Sequence, residues 1–333
     1  MTAGARPEVT TDPERAVAVL GSGGLVAIPT ETVYGLAADA TRPEAVRAVF
    51  AAKGRPSDHP LIVHVAGADE LDRWAADVPG TARALVDRWW PGPLTVLLRR
   101  SSRVLDEVTG GRDTVALRSP AHRLAHAVLE GFGGGLVAPS ANRFGRVSPT
   151  TAADVVAELG ARVDLVLDGG PCEVGVESTI VDLSGGVPVV LRQGGVSAGD
   201  IEAVLGVHVQ VAEQGATPVA PGMLASHYAP DARVVVLDPE TGAPEVAQAI
   251  GSLADGGADG TFGVLAPEHV AGLDPSVVQL APAGDAVSYA RVLYSRLREA
   301  DTRGIDCLVV VPPRPEGIGA AVLDRLTRAA HRP

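Results

Sequence analysis

The sequence predicts a two-domain α/β protein: a mixed α/β domain on a sizeable sheet, then a smaller, parallel-sheet, Rossmann-like domain. Three observations carry this expectation. The chain has 333 residues, and at roughly 100–200 residues per domain that length fits two domains with a substantial core. Short β-branched runs bounded by Gly, Pro or Asp alternate with amphipathic stretches over residues 25–205. The pattern then breaks and resumes as four apolar runs separated by helical ones, the signature of strand–helix alternation.

Taken in order, strands are expected at 25–29, 61–65, 94–99, 114–118, 136–138, 165–168, 179–183 and 189–192. Helices are expected at 43–52, 68–76, 81–89, 120–130, 152–158 and 198–205. Thr41 and Glu44 have capping-box spacing and Pro43 suits a first turn, so a helix should begin there, just upstream of Lys53. Residues 207–232 carry Pro218, Pro221 and Pro230 without helical period. A loop this long is usually disordered or functional, and His227 and Tyr228 are unusual in a mere spacer. Strands resume at 233–238, 261–266, 277–281 and 305–312, with helices at 243–254, 285–300 and 318–330. The expected domains are therefore 1–206 and 233–333, joined by a linker over 207–232. No GxGxxG follows a strand in the second domain, so dinucleotide binding there has no support.

Composition narrows the function. The formal charge is −12, which argues against a protein that coats nucleic acid. Residues 1–212 and 213–333 each contribute −6, yet 140–151 holds two arginines and no acid. Lys53 is the only lysine among 28 basic residues, and ammonium and guanidinium do different chemistry. Cys172 and Cys307 lack metal or redox spacing and read as buried small hydrophobes in a reducing compartment. No signal peptide and no membrane-length apolar run is evident, so a cytoplasmic protein without membrane association is expected.

Chemistry-bearing residues cluster in short segments beside the strands. Pro29-Thr-Glu-Thr-Val-Tyr-Gly35 puts hydroxyls and a carboxylate at the usual ligand edge of an α/β sheet. Lys53-Gly-Arg55 can grip phosphate from two directions, with a surface basic turn as the alternative. His64 sits in an apolar strand, where a satisfied core histidine is the commoner case. Arg118 ends a buried strand, which calls for an anionic partner, either a substrate or an internal Asp or Glu. The segment 138–151 offers hydroxyls, an amide and two arginines to a polyphosphate; helix capping accounts only for Thr151. Arg99, Arg118 and Arg192 each terminate a strand, which suggests an anion site at one sheet edge.

The segments PTETVYGL, KGRPSDHPLIVH, ALRSP, APSANRFGRVSPT, ESTIVDL and VVLRQGG together resemble the YrdC/Sua5 family of threonylcarbamoyl-AMP synthases. SHYAP and the second domain resemble its longer, Sua5-type members. The resemblance implies a YrdC-like twisted mixed sheet with flanking helices plus a Rossmann-like Sua5 domain. It implies nucleotidyl transfer: L-threonine, bicarbonate and ATP give L-threonylcarbamoyladenylate and pyrophosphate. A tRNA-modifying threonylcarbamoyltransferase complex would then act on adenosine 37 of tRNAs reading codons that begin with A. Mg²⁺ would accompany ATP, with no ligand set assignable and no organic cofactor. The family signature corresponds to Lys53, Arg55, Ser140 and Asn142 as catalytic residues. Arg55, His59, Thr114, Ser140, Ser148, Arg192 and Tyr228 would hold ATP, Tyr228 closing over the nucleotide. Thr32, His64, Arg118, Ser178 and the backbone at Ala138 would hold threonine. Position 59 departs from the family pattern, which often has Asn there. The competing classes are an RNA-binding module of the YrdC type and a related carbamoyl-adenylate enzyme. Net charge and few aromatics disfavour stable RNA binding, and the Cys-rich or kinase-like motifs of the second class are missing.

Overall fold

The structure, a computed structural model, describes residues 6–212, 221, 228–257 and 260–331. It divides into two compact units: residues 1–144 with 148–224, and residues 145–147 with 225–333.

The strands of the first unit are β1 (Glu8–Thr10), β2 (Val26–Ile28), β3 (Gly35–Asp39), β4 (Ile62–His64), β5 (Leu94–Arg99), β6 (Thr114–Arg118), β7 (Leu136–Val137), β8 (Leu165–Leu167), β9 (Thr179–Asp182), β10 (Val189–Arg192) and β11 (Gln210–Val211). Its helices are α1 (Pro13–Gly21), α2 (Pro43–Lys53), α3 (Leu71–Trp74), α4 (Gly80–Trp89), α5 (Asp106–Thr109), α6 (Arg123–Phe132), α7 (Ala152–Leu159) and α8 (Ala198–Leu205). The strands form one mixed sheet in the order β1-β8-β2-β3-β7-β4-β6-β5-β9-β10-β11. Both faces are covered, so the central strands are apolar throughout rather than alternating. One apolar cluster gathers Val46, Phe50, Leu85, Val96 and Leu117, among others; a second gathers Leu20, Ile28, Leu124, Val128 and Leu167.

Register decides what the sheet presents. Parallel pairing of β4 with β6 sets His64 beside Arg118. Antiparallel pairing of β5 with β6 sets Arg99 opposite Thr114, at the far end from Arg118. β9 runs parallel to β5 with Ile180 beside Thr95, and β10 returns with Arg192 opposite Ile180. Arg118 and Arg192 thus share one end of the sheet, whereas the exposed Arg99 lies at the other and pairs loosely with Asp113 at 3.8 Å. The expected anion edge loses one of its three arginines.

Several local expectations change. Thr41 does not cap α2: Arg42 is its N-cap residue, without a side-chain hydrogen bond. Thr41 instead donates through N–H and Oγ1 to Asp39 Oδ1 at 2.8 and 2.7 Å. The helix expected at 68–76 is a 3₁₀ turn, Ala68–Glu70, followed by the short α3. Thr151 does cap α7, in a reciprocal capping box with Asp154.

The second unit contains β12 (Arg233–Val236), α9 (Ala243–Asp255), β13 (Phe262–Leu265), β14 (Val278–Gln279), α10 (Ala286–Thr302), β15 (Cys307–Val310) and α11 (Ile318–Ala330). Its four-stranded sheet, ordered β12-β15-β13-β14, is wholly parallel, as the strand–helix alternation predicts. Val246 and Ile250 of α9 pack on Val264 and Val309 of the sheet. Residues 145–147 join this unit: Ala229 N–H donates to Gly145 O, Arg146 pairs with Asp231, and Arg298 donates to Val147 O. No helix among the described residues is long and apolar enough to cross a membrane.

Candidate functional site

Two of the polar segments lie side by side before any side chain is considered. Leu36 N–H donates to Pro139 O, Ala141 N–H to Tyr34 O, and Tyr34 N–H to Pro149 O. Residues 29–36 and 139–149 are therefore laced by their backbones. The approach is close enough that a Cβ on Gly35 would stand 3.1 Å from Ala138 Cβ, which accounts for glycine there.

Lys53 joins that pair of segments. It is the last residue of α2, followed by Gly54 in the left-handed conformation that ends the helix. Its side chain is 2% exposed, and Nζ donates to the carbonyls of Ser140 and Asn142. Phe144 N–H donates back to Lys53 O at 2.8 Å. Burial, reinforced by the Arg55 charge, pushes the Lys53 ammonium well below its usual pKa. Two donors are committed to carbonyls, and the third has no partner among the described residues. Arg55 donates to Pro60 O at 2.9 Å and lies 6.0 Å from the Phe144 ring centre. His59 meets the same ring edge-on at 5.4 Å. Burial and Arg55 both lower its pKa, keeping the imidazole neutral. Lys53, Arg55, His59, Ser140 and Asn142 are thus brought together. Asn142 is buried, with Nδ2 on Arg143 O at 2.8 Å. Thr114 opens β6 at the end opposite Arg118, about 13 Å away at the ordinary strand rise.

The second cluster lies at the Arg118 end of the sheet. Arg118 is buried; its Nη2 donates to Glu31 Oε1 at 2.7 Å and its Nε to Gly92 O at 3.2 Å. No hydrogen bond to Nη1 is formed among the described residues. His64, in register beside it, is also buried, with Nδ1 unpartnered among the described residues. Burial first, and the Arg118 charge second, push its pKa down to about 3, so His64 is neutral at physiological pH. Thr32 is buried with Oγ1 2.8 Å from Thr30 Oγ1. Ser178 Oγ lies 2.7 Å from Thr95 Oγ1 and accepts from Arg192 Nη2 at 3.1 Å. Arg192 also grips Ser178 O through Nε and Nη2 at 3.0 and 2.9 Å. Glycine is needed beside this grip, since a Cβ on Gly194 would stand 2.3 Å from Glu177 O. Ser148 Oγ donates to the buried Glu177 Oε1 at 2.7 Å.

Tyr228 lies in the second unit, buried, at φ +65°. Its ring stacks on Tyr294 at 5.7 Å, and the Arg325 guanidinium sits 5.2 Å from the ring centre. His227 lies outside the described residues.

Local sequence did not single out Glu31, Glu177 and Thr95 as supports. Each holds a candidate site residue: Glu31 holds Arg118, Glu177 holds Ser148 and Thr95 holds Ser178. Burial supplies the signal that was available, because a carboxylate or hydroxyl inside an apolar sheet needs a partner. For Arg118 that partner is an internal Glu, one of the two alternatives open at the sequence level. Among the described residues no three His, Cys, Asp or Glu side chains cluster as a metal cage.

Comparison with known proteins places the chain in a family. A Sua5/YciO/YrdC family model, described as "Telomere recombination", matches residues 18–194. A second, "Threonylcarbamoyl-AMP synthase, C-terminal domain", matches residues 196–331. A threonylcarbamoyl-AMP synthase of Bacillus subtilis (strain 168) is 39% identical over 330 residues, covering 96% of this chain and 94% of its own. One from Pyrococcus abyssi (strain GE5 / Orsay) is 39% identical over 322 residues, covering 95% and 93%. The crystal structure of P. abyssi Sua5 complexed with L-threonine superposes with a TM-score of 0.89 at 37% identity, covering 97% of each chain. Two family models that together span most of the chain, near-full-length relatives and a matching two-unit fold converge, and the chain belongs to the Sua5/YrdC family of threonylcarbamoyl-AMP synthases.

Proposed function

We propose that the protein condenses L-threonine, bicarbonate and ATP into L-threonylcarbamoyladenylate, releasing pyrophosphate and water. The observation that carries the substrate assignment is Arg118, a buried guanidinium fixed on two sides with Nη1 uncommitted, beside the neutral His64 with Nδ1 unpartnered. A small ligand with a carboxylate and a hydroxyl suits that pair. The Pyrococcus abyssi relative, crystallised with L-threonine, supports threonine as that ligand.

The chemistry follows in two steps. The neutral threonine amine attacks bicarbonate carbon and water departs, leaving an N-carboxylate. A carbamate oxygen then attacks the ATP α-phosphorus in line, and the bond to the bridging oxygen of pyrophosphate breaks. Catalysis of such a transfer rests on positioning and on stabilising negative charge. Arg118, His64, Thr32, Ser178 and the Ala138 backbone hold threonine in this reading. Arg55, His59, Thr114, Ser140, Ser148 and Arg192 hold ATP, with Lys53 and Asn142 beside the reacting groups. Mg²⁺ enters as the nucleotide's own ion, because Mg²⁺ commonly takes substrate phosphates and water with few protein ligands. The product would pass to a tRNA-modifying threonylcarbamoyltransferase acting on adenosine 37 of tRNAs that read codons beginning with A.

Purified protein with Mg²⁺-ATP should release pyrophosphate only when both L-threonine and bicarbonate are present. Release that is independent of threonine, or none at all, would overturn the assignment.

A further inference from the structure

We infer that Glu31 is a positioning and specificity residue: it aims Arg118 at the amino-acid carboxylate and keeps polyphosphate out of that subsite. This rests on the reading of Arg118 as the threonine anchor. Glu31 stands between two donors. Its Oε1 accepts from Arg118 Nη2 at 2.7 Å and its Oε2 from Ala121 N–H at 3.1 Å. Both carboxylate oxygens are therefore used, and they tie the end of β6 to the chain leading into α6. Arg118 and Glu31 are almost wholly buried, with side-chain exposures of 5% and 7%.

Two consequences follow. The first is geometric. With Nε on Gly92 O and Nη2 on Glu31, the guanidinium plane is fixed, and Nη1 is the edge left for a ligand. The second is electrostatic. A buried lone guanidinium attracts any anion, and a triphosphate more strongly than an amino-acid carboxylate. Paired with Glu31 it is neutral overall, so it offers directed hydrogen bonds without a net charge. An amino-acid carboxylate can use those bonds, whereas a polyanion meets the Glu31 charge. Glutamine cannot substitute: it has one acceptor and one donor end, so its amide group must face either Arg118 or the Ala121 N–H.

Threonine-dependent pyrophosphate release by Glu31→Gln and Glu31→Asp, with thermal melts to verify folding, tests the idea. Glu31→Gln should raise the threonine KM at least tenfold with the ATP KM within twofold, and ATP should become a competitive inhibitor against threonine. Glu31→Asp keeps the charge but is too short to span both donors. It should raise the threonine KM without bringing ATP inhibition. If Glu31→Gln fails to fold, Glu31→Asp decides: an unchanged threonine KM overturns the inference. In a folded Glu31→Gln variant, a threonine KM within twofold of wild type, or loss confined to kcat, also overturns it. Absence of threonine-dependent turnover in the wild type would instead overturn the functional assignment.

Discussion

Arg118 in the first unit and Arg325 in the second are both fully or nearly fully buried, and each is paired with an acid, but the pairs do different things. Arg325 pairs with Asp324, its neighbour on α11, and its guanidinium lies over the Tyr228 ring. That acid is the next-door residue in the chain, and the guanidinium face serves as a platform for an aromatic. Arg118 pairs with Glu31 from the β2–β3 connection, a residue remote in sequence. That pair closes a long loop and leaves part of the guanidinium uncommitted. In the proposed reading, Arg118 serves as a ligand site because its acid comes from elsewhere in the chain and fixes the group without using all its donors.

The comparison can be broken most severely at Arg118. Arg118→Ala should lower threonine-dependent turnover at least a hundredfold and destabilise the first unit by about 3–5 kcal/mol, because Glu31 is left buried and unpaired. Denaturant melts beside pyrophosphate release measure both effects. Lys53→Arg should lower turnover about tenfold or more, since a planar fork cannot reproduce a compact ammonium seated on the Ser140 and Asn142 carbonyls. Activity equal to wild type would remove Lys53 from the proposed chemistry. Arg325→Met should cost about 1–3 kcal/mol of stability in the second unit. It should leave the threonine KM unchanged, which separates the platform role from the ligand role.

The gentlest test uses pH. His64 has a folded pKa of about 3 against 6.5 for the free side chain. The unfolded chain therefore binds the proton more readily, so His64 costs nothing above about pH 6.5 and erodes stability as pH falls toward 3. The slope in that window approaches about 1.4 kcal/mol per pH unit. Melts of His64→Gln should show that slope flattened, and an unchanged slope would mean His64 is not the buried neutral group described.

What was legible in the sequence was local. The runs at 94–99, 114–118 and 189–192 form strands with those bounds, and α8 spans 198–205, because β-branched runs and capping residues speak for themselves. β3 was not legible: Gly35-Leu-Ala-Ala-Asp39 has no β-branched residue and is a strand because β2 and β7 flank it. α1 lies outside the helices the sequence pattern predicts, although Asp12 accepts from Glu14 N–H at 2.9 Å and Pro13 opens the helix. Thr41 misled, since the capping spacing is present but its hydroxyl prefers Asp39. The site's motif residues could be named from their segments. Which of them Glu31, Glu177 and Thr95 hold could not be read, because those hydrogen bonds join segments far apart in the chain and only the sheet register brings them together.

The double tie between Lys53 and the 140–144 segment has a consequence for motion. Irregular loops ordinarily exchange their amide protons through cheap local openings. Here the Ala141 and Phe144 N–H groups donate to Tyr34 O and Lys53 O, while the Lys53 ammonium clasps the Ser140 and Asn142 carbonyls. Freeing either amide means unseating the end of α2 or the backbone lacing to residue 34. The loop should therefore exchange on the timescale of the helix and sheet that hold it, with no low-energy opening of its own.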